Sequence, residues 1–273
     1  MLESPNDWPR STKPFRDYII MKNGRRALSD RPKDGSVGIV IPVRDGLKFF
    51  KLCMYSVLSF TDVPYLLNIV DNMSSLESKK NFFSFQLNHD AYYTRYDEDF
   101  NFAAEVNLGL KEMFSYPEVK YGLILNADAV VTPFWLSNMM TTMLAHPKIA
   151  VVGPLSNKAI PEQEDKEREG KVTTVQRVSG FCMLIRRSAY EEVGGFDENF
   201  KGGGFEDWDF CERVRRNGWH VLIDGTSYVH HFYKQFRKMD FDDQLRENEK
   251  YFFEKHPLVA DLVKRGDLVK AAT

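Results

Sequence analysis

Apolar runs alternate with amphipathic segments through the first half of the chain. Ser36–Val43 is rich in β-branched residues, which is typical of a strand buried on both faces of a parallel sheet. Similar runs predict strands at 66–72, 91–96 and 121–128, and apolar residues at helical spacing predict helices at 45–59, 73–87, 101–114 and 133–145. This alternation indicates an α/β fold, with a doubly wound, mostly parallel sheet and helices on both of its faces.

The second half of the chain is less regular. Short strands are predicted at 149–155, 178–186, 220–223 and 227–230, and helices at 205–217 and 240–265. A charged loop at 161–171 and a glycine-rich loop at 194–204 lie between them. We expect three regions: an N-terminal arm (1–35), an α/β domain (36–235) and a helical C-terminal extension (236–273).

Composition and charge narrow the class of protein. The net charge of −2 gives the whole chain no attraction for nucleic acid, although basic runs at 213–216 and 234–238 leave a local patch open. No run approaches the roughly 18–20 apolar residues of a membrane span, and the N-terminus has no apolar segment typical of a secretory signal. Three cysteines without metal-ligand spacing indicate reduced thiols. We therefore expect a cytoplasmic protein without a transmembrane segment.

Two aspartates lie where predicted central strands end. Ligands of such sheets bind outside the carboxyl ends of the strands, which makes Asp71 and Asp128 candidate site residues. Asp128 ends the run Leu125-Asn126-Ala127-Asp128, where a buried carboxylate needs a partner such as Mg²⁺ or Mn²⁺ bound to a diphosphate. Asp71 can accept a hydrogen bond from a base or a ribose. Either residue can instead be a helix N-cap, since Asp is a common cap.

The glycine-rich loop leads into an acidic helix start at Glu206-Asp207. These carboxylates either serve a site or complement the helix dipole, which favours acids in a first turn. Every third residue of this helix forms a predicted buried stripe: Trp208, Cys211 and Val214. The remaining acids are expected to pair with arginines of the same helix: Asp209 and Glu212 with Arg213, Arg215 or Arg216.

Two histidines end the last predicted strand, in Tyr228-Val229-His230-His231. A histidine at this position can complete a metal site with Asp128. Neighbouring residues of a strand point to opposite faces, so at most one of the two is expected to face the site.

These segments, in this order, resemble the family 2 glycosyltransferases, which are inverting enzymes with the Rossmann-like GT-A fold. The resemblance covers roughly 36–232. It is strongest where glycines, acids and an arginine recur: Ser179-Gly180, Gly194–Glu198, Glu206–Arg213 and Asn217–Trp219. Two further segments also resemble the family: Asn101–Ala104 with Asn107 and Gly109, and Asn248–Phe252 with Lys255.

The resemblance implies transfer of a sugar from a nucleotide-diphosphate sugar to a hydroxyl of a carbohydrate or other acceptor, with inversion and with Mn²⁺ or Mg²⁺. It implies Asp128 and His230 as metal ligands, and Asp207 as the catalytic base with Glu206 beside it. Asn126 replaces the first Asp of the family's Asp-x-Asp motif, and an amide is a weaker metal ligand. Residues expected to bind the nucleotide sugar are Pro42, Val43, Asp45, Asp71, Asn101, Ala104, Asn107, Asn126, Ala127 and Gly180.

Two other functions are compatible with parts of this pattern. A sugar-nucleotide pyrophosphorylase usually carries a glycine-rich loop with an arginine after its first strand, whereas Pro42–Gly46 has one glycine. A catalytically silent sugar-nucleotide-binding module would keep the fold alone. The acidic pair and His230 favour an enzyme over such a module, because drift would tend to erase them.

Overall fold

The computed structural model describes residues 36–97, 100–233 and 241–265. The predicted arm (1–35) and the basic run at 234–238 lie outside these residues. The strands are β1 (Ser36–Val43), β2 (Tyr65–Asn72), β3 (Tyr92–Tyr96), β4 (Val119–Leu125), β5 (Ala129–Val131), β6 (Ile149–Leu155), β7 (Val172–Thr174), β8 (Cys182–Arg186) and β9 (His220–His231). The α-helices are α1 (Leu47–Phe60), α2 (Leu76–Asn88), α3 (Phe102–Phe114), α4 (Trp135–Ala145), α5 (Pro161–Glu164), α6 (Arg187–Val193), α7 (Glu206–Arg216), α8 (Phe241–Lys255) and α9 (Pro257–Arg265).

One sheet organises the described residues, with strand order β3-β2-β1-β4-β8-β6-β9-β5 and with β7 paired to β9. The pairs β1–β2, β1–β4 and β2–β3 are parallel, as expected for strands joined through helices. Strand β8 enters antiparallel between β4 and β6. The predicted α/β fold with a parallel central sheet is confirmed, and the antiparallel insertion is an addition that periodicity alone does not predict.

Successive side chains of β1 pack into two hydrophobic cores on opposite faces of the sheet. Ile39 and Ile41 pack in a cluster that contains residues of α1, α2 and α4. Val40 packs in a second cluster with residues of α3, α6 and α7. Helices therefore cover both faces, as predicted. Within the described ranges, every helix is too short or too polar to cross a membrane.

Several predicted elements differ from the structure. The charged loop expected at 161–171 contains α5, and the strands expected at 121–128 and 178–186 are shorter, at Val119–Leu125 and Cys182–Arg186. The strands expected at 220–223 and 227–230 form one strand, β9, whose pairing with β6 shifts register after Pro154 and so accommodates the break at Gly225. The helix expected at 240–265 is interrupted at His256. A proline disfavours the α conformation of the residue that precedes it, which is His256 here. Pro257 is then the first residue of α9, a position where proline is common.

The C-terminal helices pack against the acidic helix α7. A hydrophobic cluster joins them, formed by four aromatic residues and one valine: Phe200, Phe205, Trp208, Phe252 and Val259. The predicted helical extension therefore shares a core with the segment that carries Glu206 and Asp207.

Candidate active site

The carboxyl ends of β1 and β2 meet in a network of short polar bonds. Val43 is the register partner of Asp71. The buried Asp71 carboxylate accepts hydrogen bonds from Tyr93 Oη (2.6 Å), Arg95 Nη1 (2.7 Å) and Ser74 N (3.0 Å). Asp71 thus fixes the Arg95 guanidinium at this end of the sheet, and Arg95 is a residue that the sequence analysis missed.

Asp45 lies beside this network in the turn after β1. Its backbone is left-handed (φ 56°), its N–H donates to Ser74 Oγ (2.8 Å) and its carboxylate accepts from Ser75 N (2.9 Å). Burial acts to raise the pKa of Asp45, but the hydrogen bonds from Ser75 outweigh it and hold the pKa below its ordinary value. The turn from β1 is therefore tied to the turn from β2, with Pro42 and Val43 at its start.

The predicted asparagines of α3 mainly organise the backbone. Asn101 caps the helix, since its Oδ1 accepts from Ala104 N (2.9 Å), and its Nδ2 donates to the Glu198 carbonyl (2.6 Å). Asn107 donates to Phe196 O and Glu198 Oε1, and accepts from Tyr190 Oη and Phe196 N.

These bonds use both amide protons and both lone pairs of Asn107, which leaves no group for a ligand. Asn107 therefore has a structural role, and its contact with the nucleotide sugar stays a prediction that these bonds disfavour. The ligand contacts of Asn101 and Ala104 stay predictions.

Asp128 lies in a β-turn between β4 and β5, closed by the bond from Ala129 N to Asn126 O (3.0 Å). The carboxylate is buried, and its Oδ1 has no hydrogen-bond partner among the described residues. The same holds for Asn126 Oδ1. Unsatisfied buried oxygens are rare in folded proteins and mark places where a ligand or ion completes the structure. Ala127 is buried between these two residues.

The histidine beside Asp128 is His231, not the predicted His230. His231 Nε2 lies 3.2 Å from Asp128 Oδ1. Strand β5 sets this choice, because Ala129 pairs with His231 and places it next to the turn, while His230 pairs with Val130. The alternation of the strand then turns His230 away, against Phe232 (ring centroids 4.9 Å apart). His231 rather than His230 is therefore the neighbour of Asp128, and which histidine binds a metal stays a prediction.

The loop after β6 fixes the orientation of His231. The Asn157 side chain hydrogen-bonds to the backbone N–H (2.8 Å) and carbonyl (3.0 Å) of His231. The His231 ring stacks on the Phe181 ring, with centroids 4.5 Å apart and planes at 13°. His231 Nδ1 lies 2.9 Å from the Lys158 carbonyl. A carbonyl can only accept, so Nδ1 carries a proton, and in the neutral ring the lone pair is then on Nε2, the nitrogen beside Asp128.

Asp207 lies half-buried in the first turn of α7, and two backbone donors orient it. Gly180 N donates to Oδ2 and Trp208 N donates to Oδ1, each at 2.8 Å. Burial raises the pKa of Asp207, while these N–H groups and the charge of Arg177 act to lower it.

The neighbouring Glu206 is buried more deeply, and its Oε2 has no hydrogen-bond partner in the described part of the chain. Burial, and next the charge of Asp207, raise the pKa of Glu206. The more exposed and better oriented carboxylate of the two is therefore Asp207.

Arg177 is a second residue that the sequence analysis missed. Its guanidinium is buried, stacks 4.1 Å from the Trp208 ring centroid and approaches Glu162 Oε1 only to 3.9 Å. Its Nε and Nη2 have no hydrogen-bond partner within residues 36–97, 100–233 and 241–265. An arginine flanked by the buried residues Val175 and Val178 was the available signal in the sequence.

Gly180 and Phe181 connect the two parts of the site. Gly180 N binds Asp207, whereas Phe181 O accepts from Asn126 N (2.8 Å) and the Phe181 ring stacks on His231. Two adjacent residues thus touch both the Asp128–His231 pair and the Asp207 carboxylate. The predicted residues Gly180, Asn126, Asp128 and Asp207 therefore lie around one location.

The helix caps predicted as alternatives for Asp71 and Asp128 are absent from these two positions, whereas the structural features predicted for α7 are present. Asp128 and Asp71 are not helix caps, because α4 follows Phe134 and α2 is capped by Ser75. The buried stripe of α7 is confirmed. So are its internal ion pairs, which are Asp209–Arg213 (2.7 Å), Glu212–Arg215 (2.7 Å) and Glu212–Arg216 (2.8 Å). Each arginine of the basic run at 213–216 thus has an acidic partner on the same helix.

Among the described residues, neither the cysteines nor the acidic residues build a larger metal cluster. The three cysteines lie within the described residues, are buried, and form no disulfide. In the same part of the chain, no group of three or more His, Cys, Asp or Glu side chains has metal-binding geometry. Asp128 and His231 are thus a two-residue candidate site.

Comparisons with known proteins agree on the family and the fold. The family described as "Glycosyltransferase like family 2" matches residues 38–222. The N-acetylglucosaminyl-diphospho-decaprenol L-rhamnosyltransferase of Mycobacterium tuberculosis is 34% identical over 104 residues, which are 38% of this chain and 27% of that protein. The chain therefore spans well under two thirds of this relative's length.

Solved structures resemble the chain at low sequence identity. A mannosyltransferase from Pyrobaculum calidifontis in complex with GDP-Man and Mn²⁺ has a TM-score of 0.65 and 15% identity, over 88% of this chain and 68% of that one. GalNAc-T7 with UDP, GalNAc and Mn²⁺ has a TM-score of 0.63 and 15% identity, over 81% and 51%. These likenesses establish the GT-A fold, and the family match over more than half of the chain establishes that this protein belongs to the family-2-like glycosyltransferases.

Proposed function

We propose that this chain transfers a sugar from a nucleotide-diphosphate sugar to an acceptor hydroxyl, with inversion and with a divalent cation. The observation that carries the proposal is the bridge formed by Gly180 and Phe181, which brings the Asp128–His231 pair and the Asp207 carboxylate to one location. A site for a diphosphate and a site for a general base are the two parts that such a transfer requires.

The donor set at Asp128 and His231 fits Mn²⁺. The carboxylate oxygen and the imidazole nitrogen lie 3.2 Å apart, close enough that both could bind one cation. Among the described residues, Asp128 Oδ1 has no hydrogen-bond partner. The bond from His231 Nδ1 to the Lys158 carbonyl leaves Nε2 as the acceptor of the neutral ring.

A nitrogen ligand favours Mn²⁺ over Mg²⁺, which prefers oxygen. When bound, the cation supplies positive charge against the leaving diphosphate. Both GT-A structures described above contain Mn²⁺.

Asp207 is the proposed general base. Its two backbone hydrogen bonds aim the carboxylate, and its partial exposure leaves it accessible to an acceptor hydroxyl. The carboxylate accepts the hydroxyl proton as the oxygen bonds to the anomeric carbon and the nucleoside diphosphate leaves from the opposite side. A single displacement of this kind inverts the configuration. Buried Glu206, with its raised pKa, is the weaker candidate because it holds its proton near neutral pH.

The turns after β1 and β2 are the proposed nucleotide end of the site. Pro42 and Val43 end β1 and Asp45 lies in the turn that follows, while Asp71 lies near the end of β2 and binds Arg95 of the neighbouring strand β3. Asp71 is fully buried under Arg95 and Tyr93. Its proposed role is therefore to orient the Arg95 guanidinium toward the nucleobase of the donor, and not to contact the nucleobase itself.

A donor screen tests this proposal. The chain is incubated with UDP-, GDP- and dTDP-linked sugars and Mn²⁺, with mono- and disaccharide acceptors, and release of nucleoside diphosphate is measured with and without EDTA. We expect release from one donor, loss with EDTA and recovery with excess Mn²⁺. No release from any donor, together with no nucleotide-induced thermal shift, would contradict the proposal and favour the silent module.

A further inference from the structure

Three residues on one side of α8 and of the junction between α8 and α9 contact residues 201–209. Asn248 binds the glycine-rich loop, Phe252 packs on Phe205 and Trp208 (centroids 5.5 and 4.5 Å), and His256 Nε2 lies 2.8 Å from Asp209 Oδ1. Spacings of four residues place these side chains on one face of a helix. The segment that leads into Asp207 therefore lies along one continuous surface of the C-terminal helices.

Asn248 makes the densest of these contacts. It is 2% exposed, and its Nδ2 donates to the carbonyls of Lys201 (2.9 Å), Gly204 (3.0 Å) and Gly203 (3.3 Å). Its Oδ1 accepts from Lys201 N (3.1 Å). One side chain thus satisfies four backbone groups of a loop that has no regular structure of its own.

The loop needs such external bonds because its backbone is unusual. Gly202, Gly203, Gly204 and Phe205 all have positive φ, at 70°, 131°, 97° and 72°. Glycine adopts these angles readily but loses more conformational freedom in doing so than other residues, and Phe205 pays a steric cost. Such a run persists only when its surroundings determine it.

The first turn of α7 begins directly after this run. Glu206 and Asp207 follow Phe205, and Asp207 reaches Gly180 N across 27 residues of sequence. A displacement of the loop therefore moves the carboxylate away from its donor. We propose that Asn248 is a positioning residue for the transfer reaction proposed above: it fixes Gly202–Gly204 and through them the Asp207 carboxylate. This places Asn248 outside the reacting groups, and it makes the glycine-rich loop a fixed wall of the site instead of the mobile lid that its glycines suggest.

Amide hydrogen exchange tests the coupling without requiring activity. Asn248→Ala is compared with wild type and with Glu247→Ala, an exposed neighbour on the same helix. We expect exchange about tenfold faster at 200–209 in Asn248→Ala, as for the loss of one or two net hydrogen bonds. The deciding readout is the peptide 178–181, which contains the Gly180 amide on Asp207 and is expected to exchange faster as well. Peptides of β1 are expected to stay at the wild-type rate.

Turnover adds a second readout. With the donor found in the screen, kcat is expected to fall at least about tenfold in Asn248→Ala while the donor KM stays the same, since the nucleotide end is untouched. Glu247→Ala is expected to match wild type. Asn248→Asp has the same volume but loses the amide protons, so it gives the same result if Asn248→Ala does not fold.

Faster exchange confined to 200–204, with 178–181 unchanged, would overturn the proposal, because Asn248 would then tie the loop without positioning Asp207. So would wild-type exchange throughout. Absence of nucleoside diphosphate release by the wild type would count against the proposed function instead, and the exchange comparison would still decide whether Asn248 positions Asp207.

Discussion

At the residue scale, the proposed transfer depends most on Asp207. A positioned general base contributes about 10²–10⁴-fold to a rate, so we expect Asp207→Asn to lower kcat by that order. Donor affinity is expected to stay the same, because Asp207 contacts the acceptor side. Asp243→Asn, on an exposed side chain of α8, is the matched control. Steady-state kinetics and nucleotide titration check this, and turnover near wild type in Asp207→Asn would remove the residue from its role.

Arg177 gives a pH-dependent prediction. The positive charge of Arg177 acts to lower the pKa of Asp207, although burial, the largest influence, raises it. A base works only when ionised, so the rate falls as the pH drops through the pKa of Asp207. Arg177→Met removes the charge and raises this pKa further, which moves the acid limb of the kcat profile to higher pH.

Arg216→Met is the control for that profile, because Arg216 pairs with Glu212 at the far end of α7. Its acid limb is expected to match wild type. An unmoved limb in Arg177→Met would show that Arg177 acts on Trp208 packing alone.

The candidate site residues could be predicted from the sequence more readily than the residues that contact them in the fold. Asp128 and Asp207 follow from a buried strand that ends in an acid and from a glycine-rich loop that enters an acidic helix. The choice between His230 and His231 does not, because it depends on pairing with β5, a strand of three residues without periodicity. The saturation of Asn107 by four internal bonds is likewise visible only once the 195–198 loop has folded over it.

At the element scale, α3 packs unusually close to the sheet. A methyl group at Gly109 would lie 2.4 Å from Val40 Cγ1 and 2.9 Å from Val70 Cγ2. Both valines are stiff and buried, so Gly109→Ala is expected to lower the free energy of unfolding by about 1–3 kcal/mol despite the better helix propensity of Ala. Urea unfolding measures this, with Lys111→Ala at an exposed site of the same helix as control. Equal stability of Gly109→Ala and wild type would contradict the close packing.

Elements with a strong pattern were predicted, and those defined by tertiary pairing were not. The strands of the parallel sheet are buried on both faces, so their sequences are continuous apolar runs. Strand β7 is short and half-exposed, and helix α6 has seven residues, so neither carries enough periodicity to be recognised. The start of α4 at Trp135 rather than Pro133 depends on the left-handed Phe134.

At the scale of the whole molecule, the sheet brings residues that are far apart in sequence to one location at the ends of its strands. The β4–β5 turn supplies Asp128, the end of β9 supplies His231, the segment before β8 supplies Gly180 and Phe181, and α7 supplies Asp207. The C-terminal helices then hold the loop that leads into α7. The fold positions the site from both faces of the sheet, which explains why the family pattern extends through most of the described chain.

The proposed transfer depends on a divalent cation that Asp128 and His231 would hold for the diphosphate of the donor. Calorimetric titration of Mn²⁺, in the presence of UDP or GDP, tests it with two adjacent histidines as matched variants. His231→Ala is expected to weaken Mn²⁺ binding at least tenfold, because losing an orienting outer-shell partner alone costs about 10–100-fold. His230→Ala, with thermal unfolding to confirm folding, is expected to bind Mn²⁺ like wild type. Weakened binding in His230→Ala with wild-type binding in His231→Ala, or no effect of either change, would contradict the account.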